Sequence, residues 1–439
     1  MTALCPAGCY NRAVDRPREQ LLDALRLYHS GDLPRAQMLL ETLALDQLEP
    51  EVRLEANYLW GVVLARRGEA LEASQHFQQC VSQNPRFFPA LDAWGNVLAG
   101  IGDARGAIEK YRRALGVAGR RHAAHILFNY GSVLLRAGNA SRALRKFRES
   151  FRLDPLSGDA SYMAGLCYLN LARARGARKW LAQSIKLQPD SARNHTALGN
   201  AFALEGRDTE AVAAFSRALQ HEPEYHDAWY NWAANLGARG DYAGAIRTAK
   251  AGLAHHPRSF ELITQQVYGL RQMGAYDAAL QAIKRARAHL ADALESERAP
   301  HFEDLLTTNE AATLRALGRV RQARGVLLAH LRYSPEACPN ALGELRRIDA
   351  RPLSRGQRIE LTLRVQPARD APWEAEEAPN RRAWQRTYWV IAPGVKEARR
   401  MVRDLEPADA NVRFEGEAGV IEELQATQQA ILERTPAMP

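Results

Sequence analysis

Residues 191–223 read SARNHTALGNAFALEGRDTEAVAAFSRALQHEP, and residues 226–257 read HDAWYNWAANLGARGDYAGAIRTAKAGLAHHP. Superposed, the two stretches place Gly206 on Gly240, Ala211 on Ala245 and Pro223 on Pro257. Each invariant has a physical reading. Glycine enters the left-handed conformation that ends a helix without a Cβ clash. Alanine lets two helices of a hairpin approach closely. Proline, with its fixed φ and no N–H, stops the second helix. The text therefore predicts helix, turn, helix and stop.

Working outward, the same pattern defines nine units, beginning at Pro17, Leu54, Phe88, Ala124, Gly158, Ala192, His226, Phe260 and Asp304. Five of the eight spacings are 34 residues and the others are 37, 36 and 44. The twentieth position is alanine in all nine units (Ala36, Ala73, Ala107, Ala143, Ala177, Ala211, Ala245, Ala279, Ala323). The fifteenth is glycine in eight and Ala172 in the fifth unit. A bulky apolar residue follows at the twenty-fourth in several units, as in Phe77, Tyr111, Phe147 and Phe215, and proline ends six units.

This pattern resembles the tetratricopeptide repeat family over about residues 17–337. The resemblance implies a mainly α chain, a right-handed α-solenoid of helix-turn-helix repeats. The first unit, with Gln20 and Asp23 at positions the family fills with bulky or apolar residues, reads as a terminal cap. Residues 1–16 read as a tail and 338–351 as a linker. A small C-terminal α+β domain is expected over 352–439, from strands in RIELTLRVQ and AWQRTYWVIA, a helix in VKEARRMVRDL, a short strand in NVRFEGE and a final helix in GVIEELQATQQAILER. Between the first two strands, PARDAPWEAEEAPNRR reads as a mobile loop.

Composition agrees with closely packed helices. The 439 residues are 46% apolar, and with 11 Phe, 14 Tyr and 8 Trp the core must be largely small and aliphatic. A formal charge of +9 lies in residues 1–350, because residues 351–439 hold fourteen basic and fourteen acidic side chains. The bias to arginine reads as genome composition, and charge alone argues weakly for nucleic acid. The five scattered cysteines form no disulfide framework, and Cys5 with Cys9 supplies half a metal site, so no metal or cofactor is expected. There is no long apolar run or signal-like opening, so the expectation is a cytoplasmic protein with no membrane partner.

Catalytic motifs are missing: no phosphate loop, dinucleotide fingerprint, nucleophile elbow or Cys-x-x-Cys. The expectation is a protein without enzymatic activity. In the tetratricopeptide family the first helix of each unit lines the concave face. Carried over residue by residue, that implies a peptide-binding set of Asn96, Asn129, Arg136, Asn200, Asn231, Gln265, Tyr268, Arg271 and Asn309. Asparagine amides can hold a peptide backbone through donor and acceptor together. The family's carboxylate grip is incomplete here, because Asp92, Asp159 and Met163 stand where basic groups belong. His122 and His125 read as solvated helix-start residues. The expected function is a scaffold or adaptor that receives an extended peptide or helix of a protein partner in the groove. The alternative is a regulatory protein that meets nucleic acid or another macromolecule through the C-terminal segment or a basic convex stripe that includes Arg112, Arg142, Arg145 and Lys146.

Overall fold

The computed structural model describes residues 8–291, 299–333, 338–349, 351–366, 384–392, 395–405 and 411–434. It is mainly helical, with twenty α-helices among the described residues, and it divides into two compact units, residues 1–222 and 223–439.

The first unit is six helical hairpins. They are α1 (Gly8–Ser30) with α2 (Leu33–Glu41), α3 (Pro50–Arg67) with α4 (Ala70–Gln83), α5 (Phe88–Gly100) with α6 (Ala104–Val117), α7 (Arg120–Arg136) with α8 (Ala140–Leu153), α9 (Gly158–Asn170) with α10 (Ala174–Leu187), and α11 (Ala192–Leu204) with α12 (Asp208–His221). Within the unit, α2, α4, α6, α8 and α10 each pack on the first helix of the next hairpin. The sequence pattern explains the geometry. The glycine turns adopt φ between +72° and +86°, and Ala172, in the same place, is forced to +54°. All nine twentieth-position alanines are fully buried where the two helices of a hairpin meet.

A second close approach involves the eighth position of the unit, which is glycine in five units. A Cβ added at Gly61, Gly95, Gly131 or Gly199 would stand 2.6–2.8 Å from the ring of Phe77, Tyr111, Phe147 or Phe215, and at Gly165 it would stand 2.6 Å from Leu181. A further bond recurs at the unit's edge, where Ser150 and Ser184 donate through Oγ to the carbonyls of Ala124 and Gly158 at 2.7 and 2.9 Å. A buried hydroxyl without such an acceptor would cost about 1–3 kcal/mol.

In the second unit three hairpins follow: α13 (His226–Ala238) with α14 (Tyr242–His255), α15 (Phe260–Gln272) with α16 (Tyr276–Ala291), and α17 (Ala299–Ala316) with α18 (Val320–Tyr333). Then come α19 (Pro339–Asp349), β1 (Arg351–Gln366), β2 (Trp384–Ala392), α20 (Val395–Arg403) and β3 (Asn411–Arg434). The strands form a closed antiparallel sheet in which β3 pairs with β1 along most of its length, as in Leu363↔Phe414 and Leu353↔Thr427, and its end returns to β2 at Val390↔Ile431.

Four expectations are corrected. The tail at residues 1–16 carries the start of α1 from Gly8. The linker at 338–351 is instead the helix α19, whose Leu342 and Leu345 are buried three apart on one face. The final helix expected in GVIEELQATQQAILER is part of β3, where ladder pairing with β1 and β2 overrides a helical text. Nor does 352–439 stand apart as a domain: Leu361, Tyr388, Val390 and Val402 share one buried cluster with Leu327 and Leu331 of α18 and Leu342 of α19. The loop read in PARDAPWEAEEAPNRR lies outside the described residues.

Candidate functional site

In the first unit the first helices α3, α5, α7, α9 and α11 present the candidate surface. The structure joins neighbouring hairpins there through polar pairs one repeat apart. Asp92 on α5 faces His125 on α7, with His125 Nδ1 3.3 Å from Asp92 Oδ2. Asn129, one turn further along α7, lies 3.5 Å from Asp92 Oδ1 and 3.4 Å from His125 Nδ1 through its amide Nδ2. The Asp92 carboxylate raises the His125 pKa above its ordinary value, against the opposing effect of burial. Two hairpins on, Arg193 of α11 pairs with Asp159 of α9.

Beside Asn129 the surface opens into a cavity of about 610 Å³, lined on α7 by Arg121, His125, Phe128 and Asn129 and across from it by Asp154, Ser157 and Asp159. Donors, acceptors and one aromatic wall thus surround a space at the junction of the fourth and fifth hairpins.

The other residues singled out in this unit are placed differently. Asn96 is exposed, and its Oδ1 accepts from the hydroxyl of the buried Tyr111 at 2.7 Å, a bond inside its own hairpin. Arg136 is exposed at the end of α7, and Asn200 is half-buried on α11 with no side-chain hydrogen bond among the described residues.

The second unit holds its own set. Asn231 Nδ2 donates to the carbonyl of Asp227 at 2.7 Å, one turn back on α13. On α15, Gln265 is half-buried and Tyr268 is 38% exposed, its ring edge-on to Tyr242 with centroids 6.1 Å apart. Arg271 Nη1 donates to Asn309 Oδ1 of α17 at 3.0 Å, while its Nε is buried with no hydrogen-bond partner among the described residues. Burial lowers the Arg271 pKa, and Arg315 adds to that while the Glu344 carboxylate opposes it.

The basic stripe is partly assembled. Arg112, Arg142, Arg145 and Lys146 line one cavity of about 460 Å³ around the Tyr130 hydroxyl, to which Arg112 Nε donates at 3.2 Å. Lys146 also pairs with Glu149 at 3.0 Å, and Arg178 is held by Glu205 at 3.3 Å. What the sequence reading missed is the Asp92–His125 pair. Its signal was present, since residues 33 apart in stacked units of about that period lie side by side.

Residues 93–150, 131–192 and 162–226 match the profile of the tetratricopeptide repeat family. Residues 93–226 thus carry tetratricopeptide repeats, and proteins built of this repeat are generally protein-interaction scaffolds. It is 28% identical over 100 residues to human Protein O-mannosyl-transferase TMTC2, covering 22% of this chain and 12% of that protein. It is 24% identical over 148 residues to Tetratricopeptide repeat-containing protein trd-1 of Caenorhabditis elegans, covering 34% of this chain and 19% of that one. The chain thus spans less than a fifth of either relative. A tetratricopeptide repeat protein from Parabacteroides merdae, of known crystal structure, superposes with a TM-score of 0.47 at 16% identity, covering 60% of this chain and 98% of that one. No helix among the described residues is long and apolar enough to cross a membrane.

Proposed function

We propose that the chain is a non-catalytic scaffold whose first-helix surface in residues 1–222 takes an extended peptide of a partner protein, with Asn129 as its central contact. The observation that supports this most is the cavity of about 610 Å³ beside Asn129, where a half-buried amide sits among charged and hydroxyl groups with Phe128 as an apolar wall. Asn129 there offers its carbonyl Oδ1 to a peptide main chain, and its Nδ2, held only at 3.4–3.5 Å by His125 and Asp92, can exchange those long contacts for a peptide carbonyl, the recognition that tolerates many side chains. In the second unit, Gln265, Tyr268, Arg271 and Asn309 form a further contact set on α15 and α17, with Asn231 on α13. Affinity comes from many small contacts on a preformed surface rather than from one deep pocket.

The test is quantitative. Peptides selected from a random library against the full chain are titrated into wild type and Asn129→Ala by calorimetry. Loss of a hydrogen-bonding amide at the centre of the contact weakens binding by about tenfold, or ~1.4 kcal/mol. Unchanged affinity places the peptide elsewhere.

A second reading draws on the convergence of Arg112, Arg142, Arg145 and Lys146 on one cavity. That cluster fits an anionic partner, nucleic acid or acidic protein, and predicts binding that falls steeply with salt and is abolished by reversing Arg142 and Arg145.

A further inference from the structure

The last hairpin carries an assembly that peptide binding does not use. Asp304 on α17, His330 on α18 and Cys338 just before α19 come from three separate stretches, and one ligand atom from each lies within 4.8 Å of the others. All are withdrawn from solvent: Asp304 is 3% exposed, Cys338 2%, and the His330 side chain 12%.

The surroundings are ordered around this meeting point. Asp304 Oδ2 accepts from the backbone N–H and side-chain amide of Asn340 at 3.2 and 2.8 Å, and Oδ1 accepts from the Ala341 N–H at 3.0 Å. The carboxylate is therefore oriented by the first turn of α19. His330 Nε2 stands 3.5 Å from Asp304 Oδ1, yet it is buried without an aligned hydrogen-bond partner among the described residues. Cys338 adopts φ +47°, one of two non-glycine residues with positive φ among the described residues. Ala172, the other, replaces a turn glycine of the repeat; Cys338 has no such origin, and backbone held in this region persists where the surroundings demand it.

Helix capping accounts for Asp304, and a loose 3.5 Å ion pair for His330, but neither accounts for a thiol gathered against both. A nucleophilic role requires substrate access that a 2% exposed thiol lacks. A cation that draws on all three donors accounts for the whole set. We propose that Asp304, His330 and Cys338 form a structural site for a divalent transition-metal ion of the zinc class, tying α17, α18 and the start of α19 together. One sulfur, one nitrogen and one oxygen donor match zinc and disfavour magnesium or calcium, which prefer oxygen alone. Binding displaces the thiol proton and the extra proton of the His330 imidazolium to solvent, leaving thiolate, neutral imidazole and carboxylate on the ion. Bond lengths of about 2.0–2.3 Å put tetrahedral ligand atoms roughly 3.5 Å apart, so side-chain shifts of about 1 Å close the site. The Asn340 and Ala341 donors then act as the outer shell that holds the carboxylate in place.

The experiment uses the untagged full chain, loaded with zinc and dialysed, with metal measured by mass spectrometry, and the cobalt(II) form examined by absorption. About one equivalent of tightly held ion is expected, with a thiolate-to-cobalt band in the near ultraviolet that disappears in Cys338→Ser. Asn340→Ala keeps all three ligands and is expected to weaken zinc by about 10–100-fold. Wild-type chain that retains no stoichiometric ion overturns the proposal whatever the variants do. So does uptake that is equal in wild type, Cys338→Ser and His330→Gln.

Discussion

Tyr111 packs against Gly95 so closely that a Cβ there would stand 2.6 Å from the ring, while the Tyr111 hydroxyl donates to Asn96, the next residue, at 2.7 Å. One side chain thus sets the spacing of α5 and α6 and the position of an asparagine on the first-helix surface. Gly95→Ala drives a methyl into a fully buried ring and is expected to destabilise by roughly 1–3 kcal/mol. Urea unfolding measures it. An unaffected midpoint in Gly95→Ala would mean that the hairpin separation is not set by this contact.

Ala172 holds a left-handed backbone in the one unit whose turn lacks glycine. Replacing it by glycine removes the Cβ strain, a gain partly offset by the freer unfolded chain. A net stabilisation of about 0.5–1 kcal/mol is expected. The measurement is the unfolding midpoint of Ala172→Gly, with Gly138→Ala as the converse, which should lose stability.

The repeat architecture was legible because its constraints are local and recur: an alanine where helices touch, a glycine where the chain turns, a proline where it stops. The eighth-position glycines carry as tight a constraint, yet they stand out only once the ring opposite each is known. The Asp92–His125 pair was hidden for a related reason, since it joins two units whose relative placement no single unit specifies. At the C-terminus the local signal pointed the wrong way. The stretch after Gly419 has helical spacing, but strand pairing with Arg351–Glu360 settles its conformation, and pairing is a property of distant residues. α19 lies beyond the last repeat, where no period marks its helix.

Acidification is expected to weaken the first unit. His195 is 6% exposed, its Nε2 donates to the Pro189 carbonyl at 2.8 Å, and its Nδ1 is buried with no partner among the described residues. Burial lowers its pKa, and nearby His221 and Arg217 act the same way; burial likewise lowers the pKa of His76. With the folded pKa below the unfolded value of about 6.5, the unfolded chain takes up the proton first. This contribution to stability is therefore intact above about pH 6.5 and is lost as pH falls through that value toward the folded pKa. His125 has the opposite sign: its raised pKa gives a contribution that is full at low pH and is lost as pH rises through the folded value. Urea midpoints at about pH 7.5 and 5.5 are expected to drop on the acid side, and to drop less in His195→Gln, whose amide still donates to Pro189. An equal drop in both proteins would assign the acid sensitivity to other groups.

The most direct measurement concerns where a partner peptide lies. A photo-crosslinking amino acid is placed in the full chain either at position 128, on the wall of the cavity beside Asn129, or at position 145, in the basic cavity around Tyr130. Each protein is then irradiated with a library-selected peptide, and the adduct is mapped. Scaffolding through the first-helix surface predicts adducts from position 128 and none from position 145; adducts confined to position 145 would contradict it.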